Sequence, residues 1–183
     1  IDCLAGKYQG QTGQASPTAC IDCAAGMYKS EAAQVAESDC IDCAAGKYKS
    51  EAGQDALSDC DNCPQGTYGI LTGRVAEGNC ITCSKGTYGD EEGQNSCTNC
   101  PSGTYGINTG RTSEIQCPKC PAGKFEDEEG QEGCNACGHG TYGVAIAQVS
   151  QGQCIRCTAG TYDHAVNEQT SCEHCPVGTY GVG

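Results

Sequence analysis

Cys83-Ser84-Lys85-Gly86-Thr87-Tyr88-Gly89-Asp90-Glu91-Glu92-Gly93-Gln94-Asn95-Ser96-Cys97-Thr98-Asn99-Cys100 is one full turn of a repeat. A cysteine opens it, a glycine and then an aromatic follow at fixed distances, and a C-x-x-C couple closes it while opening the next. Cys3, Gly6 and Tyr8 return as Cys23, Gly26 and Tyr28 and as Cys43, Gly46 and Tyr48. They then recur from Cys63, Cys83, Cys100, Cys120, Cys137 and Cys157 to Cys175, Gly178 and Tyr180. The slot is filled by Tyr8, Tyr28, Tyr48, Tyr68, Tyr88, Tyr105, Phe125, Tyr142, Tyr162 and Tyr180, which are all the aromatic residues of the chain. A unit with one aromatic cannot bury it alone and must stack on its neighbours, so architecture and function belong to an array. The aromatic column therefore reads as repeat packing, and a ladder for carbohydrate or a partner chain is the competing reading.

Second cysteines of successive couples are 20, 20, 20, 20, 17, 20, 17, 20 and 18 residues apart. Residues 1–62 hold three 20-residue units, and residues 63–183 alternate long and short units with a superperiod of 37 or 38 residues. The pattern is cut within a repeat at both ends, so the partner of Cys175 is expected beyond Gly183.

The chain has 183 residues, 27 of them glycine, with 5% aromatics, no tryptophan and a mean hydropathy of −0.46. That is too little apolar bulk for one large core. Nineteen cysteines offer the substitute, because cross-links restrict the unfolded chain where a small core cannot compensate. Such density points to an oxidising, extracellular or cell-surface setting. A formal charge of −13 argues against nucleic-acid binding and against anionic membranes. No apolar run reaches the roughly 18 residues of a membrane span, and Ile1 to Gly10 does not read as a secretory leader.

Glycine before the aromatic calls for a positive φ or a close backbone approach, followed by a short extended piece that carries the ring. A second extended piece is expected before the next cysteine. Segments such as Gly73-Arg74-Val75-Ala76 and Ala147-Gln148-Val149-Ser150 are too short for a stable helix. The expected class is a small disulfide-rich repeat: an elongated rod of stacked short β-ribbon and loop units with almost no α-helix. Two transverse strands per unit would rise about 10 Å, or about 100 Å for ten units.

Joining the second cysteine of each couple to the first of the next gives Cys3–Cys20, Cys23–Cys40, Cys43–Cys60, Cys63–Cys80, Cys83–Cys97, Cys100–Cys117, Cys120–Cys134, Cys137–Cys154 and Cys157–Cys172, with Cys175 left over. Each bridge would close a loop of roughly 15 residues. Bonding within C-x-x-C is the redox alternative. Zinc is the other, since C-x2-C-x16-C-x2-C fits a zinc ribbon, although nine complete couples leave one over when divided into four-cysteine sites.

Cys100-Pro101-Ser102-Gly103-Thr104-Tyr105, Cys175-Pro176-Val177-Gly178-Thr179-Tyr180 and the stretch from Gly86 to Cys100 resemble the ephrin-receptor-like cysteine-rich repeats of extracellular proteins in animals and protists. These are in turn similar to the first module of tumour-necrosis-factor-receptor repeats. The resemblance spans the whole chain and implies the cysteine pairing just given, with the cysteine before P-x-G-x-Y bonded to the one that closes the same unit. Arrays of this type are similar to ciliate surface antigens, flagellar-hair proteins and receptor ectodomains. Ala24-Ala25 and Ala44-Ala45 stand where proline is common in the family.

No catalytic constellation is legible: there is no nucleophile elbow, phosphate loop or acid–base set, so a noncatalytic protein is expected. His139, His164 and His174 share no spacing and are read as surface or packing residues. Asp90, Glu91 and Glu92, with Asp127, Glu128 and Glu129, offer carboxylates for at most a weak, adventitious calcium ion, and otherwise form solvated charge. Thr67, Thr87, Thr104, Thr141, Thr161 and Thr179 are repeated candidates for O-linked glycans, and strand packing accounts for threonine equally well. The expected function is that of a structural surface protein whose partners are copies of itself in a filament, flagellar hair or coat. The alternative is a receptor or adhesion ectodomain that binds other surface proteins or glycans.

Overall fold

In a computed structural model, residues 2–10, 16–33, 35–163 and 169–179 are described. Each aromatic strand folds back on the residues between the two cysteines of the following couple. Lys7–Gln9 pairs with Cys20–Asp22, Met27–Tyr28 with Ile41–Asp42, Lys47–Tyr48 with Asp61–Asn62, and Thr67–Tyr68 with Ile81–Thr82. Further along, Thr87–Tyr88 pairs with Thr98–Asn99, Lys124–Phe125 with Asn135–Ala136, Thr141–Tyr142 with Ile155–Arg156, and Thr161–Tyr162 with Glu173–His174. All are antiparallel two-stranded ribbons, and the described residues contain no α-helix. The chain is a small disulfide-rich repeat of β-ribbons and loops.

The second strand thus lies between the cysteines and not before them. What precedes the first cysteine of a couple in the long units is a single 3-10 turn: Pro17–Ala19, Glu37–Asp39, Leu57–Asp59, Glu77–Asn79, Glu114–Gln116 and Gln151–Gln153. In five of them the side chain just before the cysteine caps the turn, and in Pro17–Ala19 the Ser16 hydroxyl does so by accepting from the Thr18 N–H. The Oδ2 of Asp59 accepts from the N–H groups of Asp55 and Ala56 at 3.2 and 2.9 Å, and the Oε1 of Gln153 accepts from the N–H of Val149 at 2.7 Å. Such local side-chain bonds satisfy backbone donors that an extended strand would leave open. The short units Cys83 to Cys97 and Cys120 to Cys134 have no such turn, which accounts for their shorter spacing.

The unit from Cys100 to Cys117 departs from the rule. Its couple reads Cys117-Pro118-Lys119-Cys120, and a proline has no N–H to give to the aromatic strand. Tyr105 N–H still donates to the Pro118 carbonyl at 3.0 Å, but only an isolated antiparallel bridge between Thr104 and Lys119 remains of the ribbon.

The described residues gather into two compact units, Ile1–Cys83 with Gly89–Cys97, and Ser84–Tyr88 with Thr98–Gly183. In the first, Cys3, Cys23, Cys43, Cys60, Cys63 and Cys83 form the buried interior. In the second, Cys100, Cys117, Cys120 and Cys137 are buried with Tyr88 and Phe125. Sulfur occupies the place that aliphatic side chains fill in an ordinary core, while many of the isoleucines and valines remain exposed.

Candidate functional site

The chemistry of this chain is concentrated where one repeat meets the next. Nine disulfides close the units: Cys3–Cys20, Cys23–Cys40, Cys43–Cys60, Cys63–Cys80, Cys83–Cys97, Cys100–Cys117, Cys120–Cys134, Cys137–Cys154 and Cys157–Cys172. Sulfurs joined in this way have no thiolate to offer zinc. Cys175 is the free thiol among the described residues, and its N–H donates to the Gly160 carbonyl at 2.9 Å.

Backbone bonds then lace each unit to its successor. The N–H of Gly26 donates to the Lys49 carbonyl at 2.8 Å, that of Lys29 to the Gln54 carbonyl at 3.0 Å, and that of Gly53 back to the Cys23 carbonyl at 2.9 Å. The same lacing recurs in the second compact unit, where Gly86 donates to Gly106 and Gly130 to Cys100, each at 2.9 Å. The aromatics sit on this seam. Tyr28 forms a parallel bridge with Gln54, Tyr48 with Arg74, Tyr88 with Arg111 and Phe125 with Gln148.

Tyr88 is 7% exposed and clusters with Cys100 and Cys117, the disulfide of the following unit. Phe125 is buried as well, and Tyr8, Tyr28, Tyr48, Tyr68, Tyr105, Tyr142 and Tyr162 are partly buried. Burial raises the Tyr48 phenol above its ordinary value, with the Glu77 and Asp61 carboxylates adding to the rise and Lys49 opposing it. Tyr180 and His164 lie outside the described residues.

Turn glycines make a longer reach. Gly26 has a φ of +80°, and a Cβ placed on it would stand 2.5 Å from the carbonyl oxygen of Gly73, two units further on. Gly6 is similarly close to Gly53, Gly46 to Gly93, Gly86 to Gly130, and Gly103 to Ala147. The repeats of these five glycines therefore reach past the successor to the next unit but one, whereas Gly140, Gly160 and Gly178 have nothing within 4 Å of the same direction.

A second recurring element escapes attention when the loops are read as acidic or plain. It is the pair formed by Gly53-Gln54, Gly73-Arg74, Gly93-Gln94, Gly110-Arg111 and Gly130-Gln131, with Ala147-Gln148 as a variant. The first member has a positive φ; Gln54, Arg74, Arg111 and Gln148 carry the bridge to the preceding aromatic, and the carbonyls of Gln94 and Gln131 accept from the N–H groups of Gly69 and Gly106. Arg111 is 5% exposed, and its Nε and guanidinium donate to the carbonyls of Gln116 and Asn108, both at 2.7 Å. Gln148 occupies the same place and donates from Nε2 to the Gln153 carbonyl at 2.9 Å, leaving its buried Oε1 without a partner. The recurrence of Gly-Gln or Gly-Arg at one address was the available signal.

The other candidate residues are placed as follows. The hydroxyls of Thr67, Thr87, Thr104, Thr141, Thr161 and Thr179 each donate to the carbonyl three residues back, as from Thr67 to Pro64 at 2.6 Å, and so brace the turn before the aromatic. Asp90, Glu91, Glu92, Asp127, Glu128 and Glu129 are exposed. Glu126 beside them is 4% exposed and is satisfied by the Glu128 N–H at 3.3 Å and the Asn135 side-chain amide at 3.2 Å. Among the described residues, no group of three or more His, Cys, Asp or Glu is arranged to hold a metal ion. His139 Nδ1 faces Asp163 Oδ2 at 3.3 Å, and His174 is exposed on its ribbon. The Gly140 N–H, the Asp163 N–H and His139 together hold the Asp163 carboxyl below its ordinary value against the opposing effect of burial.

Over residues 33–77, 69–117 and 145–182 the chain is similar to the family described as tyrosine-protein kinase ephrin type A/B receptor-like, the one that its C-P-x-G-T-Y motifs resemble. The matched segments cover more than half of the sequence. No curated protein matches the chain. The matched family is an extracellular receptor-type module and not a catalytic domain. Among the described residues no helix is long and apolar enough to cross a membrane.

Proposed function

The chain belongs to the tyrosine-protein kinase ephrin type A/B receptor-like family of cysteine-rich repeats, and on that premise we propose that it is a noncatalytic structural element of an extracellular assembly. In this reading the disulfide-stapled array joins copies of itself into a surface filament, a flagellar hair or a coat.

What supports the reading is equivalence. Successive repeats use the same turn glycine, the same aromatic and the same backbone lacing, so the molecule offers one kind of surface many times over instead of one singular cleft. Repeated equivalent surfaces suit open-ended association, in which each added copy meets the same contact as the last. Negative-stain images of native material test this. Ordered fibrils or sheets are the expected result, and separate, unassociated particles at every concentration would overturn it.

The second reading is a receptor or adhesion ectodomain that binds a protein or glycan along the array. It is favoured by the receptor-type character of the matched family. Isolated particles that capture a glycan or surface protein would select it over assembly.

A further inference from the structure

Two neighbouring repeats are almost one sequence. Ala24-Ala25-Gly26-Met27-Tyr28-Lys29-Ser30-Glu31 is answered by Ala44-Ala45-Gly46-Lys47-Tyr48-Lys49-Ser50-Glu51, and Asp39 and Asp59 stand before the closing cysteines. Both aspartates cap the 3-10 turn in the same way. The repeats part at the first residue between the cysteines of the following couple. It is Ile41 in one and Asp61 in the other, each directly opposite its tyrosine across the ribbon.

The two lysines follow that difference. Lys49 stays near the surface, with Nζ 3.3 Å from Asp61 Oδ2 and 4.0 Å from Glu51 Oε2. Lys29 has an isoleucine where that aspartate stands. Its side chain turns inward, is 1% exposed, and donates from Nζ to the Glu31 carbonyl at 2.8 Å. Beside the ribbon lies a hollow of about 250 Å³, lined by Lys29, Ser30, Glu31, Asp39 and Ile41. These five are the counterparts of Lys49, Ser50, Glu51, Asp59 and Asp61, among which the next repeat lays its ammonium. Ile41, 50% exposed, gives the hollow an apolar wall, and Glu31 and Asp39 give it acidic ones.

We propose that this hollow is a docking site for a lysine or arginine side chain of a basic partner protein. The proposal rests on the reading of the chain as a receptor or adhesion ectodomain and names the chemistry of one contact. The neighbouring repeat supplies the template, since its occupant is the chain's own ammonium, held beside Glu51 and Asp61. In the repeat from Cys23 to Cys40, Lys29 stands against Glu31, Glu37 and Asp39, so a negative surplus remains after Lys29 is counted. The whole chain, at −13, draws basic partners toward it. A lysine or arginine brings both halves of the match: a charged head for the carboxylates and an apolar stem that lies along Ile41. An acidic partner is repelled, and a purely apolar one strips water from the carboxylates without pairing them.

The test titrates the full chain with Nα-acetyl-lysine amide and follows the amide NMR signals of Ser30, Glu31 and Ile41. Shifts that saturate in the millimolar range are expected for one screened ion pair and a short apolar stem, and Nα-acetyl-norleucine amide should not reproduce them. Ile41→Asp copies the next repeat, so Lys29 gains a partner at the surface and fills the hollow itself. Read at Ser30 and Glu31, the lysine probe should then bind about tenfold more weakly, although the variant carries one more negative charge. Diffuse attraction to an acidic surface predicts the opposite, so tighter binding by this variant overturns the site. Asp61→Ile should open the matching hollow and add saturable shifts at Ser50 and Glu51, and their absence would refute the equivalence of the two repeats. Each substitution installs a residue that the other repeat already carries, and unreduced peptide mapping should return the Cys23–Cys40 and Cys43–Cys60 bridges. If the unaltered chain shows no saturable shift, the docking site is wrong while the ectodomain reading stands. If native material forms only ordered fibrils, the ectodomain reading fails and the basic partner with it, even where the lysine probe binds.

Discussion

The carbonyl of Gly73 occupies the space that a Cβ on Gly26 would need, at 2.5 Å, although the two residues belong to repeats separated by a whole unit. Gly26 also sits at a φ of +80°, which an L side chain rarely adopts. Gly26→Ala is therefore expected to destabilise the first compact unit by at least about 2 kcal/mol, from backbone strain and the forced separation of the two repeats. Gly78 has nothing within 4 Å of its Cβ direction, so Gly78→Ala is the control and should leave the urea midpoint nearly unchanged. Equal effects of the two substitutions would refute the close approach.

The Cys100–Cys117 bridge closes a separation of 17 residues and carries the ring of Tyr88. Replacing both cysteines with serine should cost about 3 kcal/mol through loop closure, before any loss of packing under the ring. Denaturant titration without reductant measures this. Hydrogen exchange should quicken at the amides around Tyr88 as well as within the altered loop.

Ala147 holds a φ of 58° at an address where Gly53, Gly73, Gly93, Gly110 and Gly130 stand in other units. Ala147→Gly should stabilise the second compact unit by about 0.5–1 kcal/mol by relieving the left-handed conformation. A rise in melting temperature checks it, and a fall would show that the surrounding loop already absorbs the strain.

Pro118 reduces its ribbon to the bridge between Thr104 and Lys119. Pro118→Ile restores an N–H opposite the Tyr105 carbonyl and copies the residue found at Ile21, Ile41 and Ile81. Amide exchange at Tyr105, whose N–H donates to the carbonyl of residue 118, should slow by about fivefold, corresponding to a net hydrogen bond of about 1 kcal/mol. Unchanged exchange would mean that the ribbon is opened by something other than the missing donor.

Asp163 titrates below its ordinary value because the folded state stabilises the carboxylate through Gly140 N–H, its own N–H and His139. The folded value lies below the unfolded one, so this contribution is present above about pH 4 and fades as pH falls through the lower folded value. Asp163→Asn should flatten the acid limb of the stability curve for the ribbon Thr161–Tyr162 with Glu173–His174, as read by NMR between about pH 2 and pH 6. An acid limb of unchanged slope would assign the pH dependence to other carboxylates.

Much of the ribbon fold was legible because it follows from short-range rules. The glycine at Gly26 marks a turn, Tyr28 marks the strand beyond it, and the Cys40-Ile41-Asp42-Cys43 couple leaves room for two extended residues. The position of the second strand was less legible, since the 3-10 turn before Cys40 depends on Asp39 capping the N–H groups of Val35 and Ala36 at 3.3 and 3.1 Å. The Gln and Arg at Gln54, Arg74, Arg111 and Gln148 were visible as letters but not as parts of the seam. Their backbone partners come from the preceding unit, and the burial of Arg111 and Gln148 appears only when two units are in contact.

Cysteine and glycine spacing by itself determined that the chain is a tandem array, where each unit begins and ends, and which residue type sits at every turn. Those are covalent and nearest-neighbour constraints, and they act within about one repeat of chain. The tertiary structure alone decided that Gly26 meets Gly73, that Gly103 meets Ala147, and that Tyr88 rests on the disulfide of the unit after it. Such meetings depend on how far each unit rises and rotates relative to the last, and that small displacement is set by three-dimensional packing and not by any one-dimensional spacing of residues.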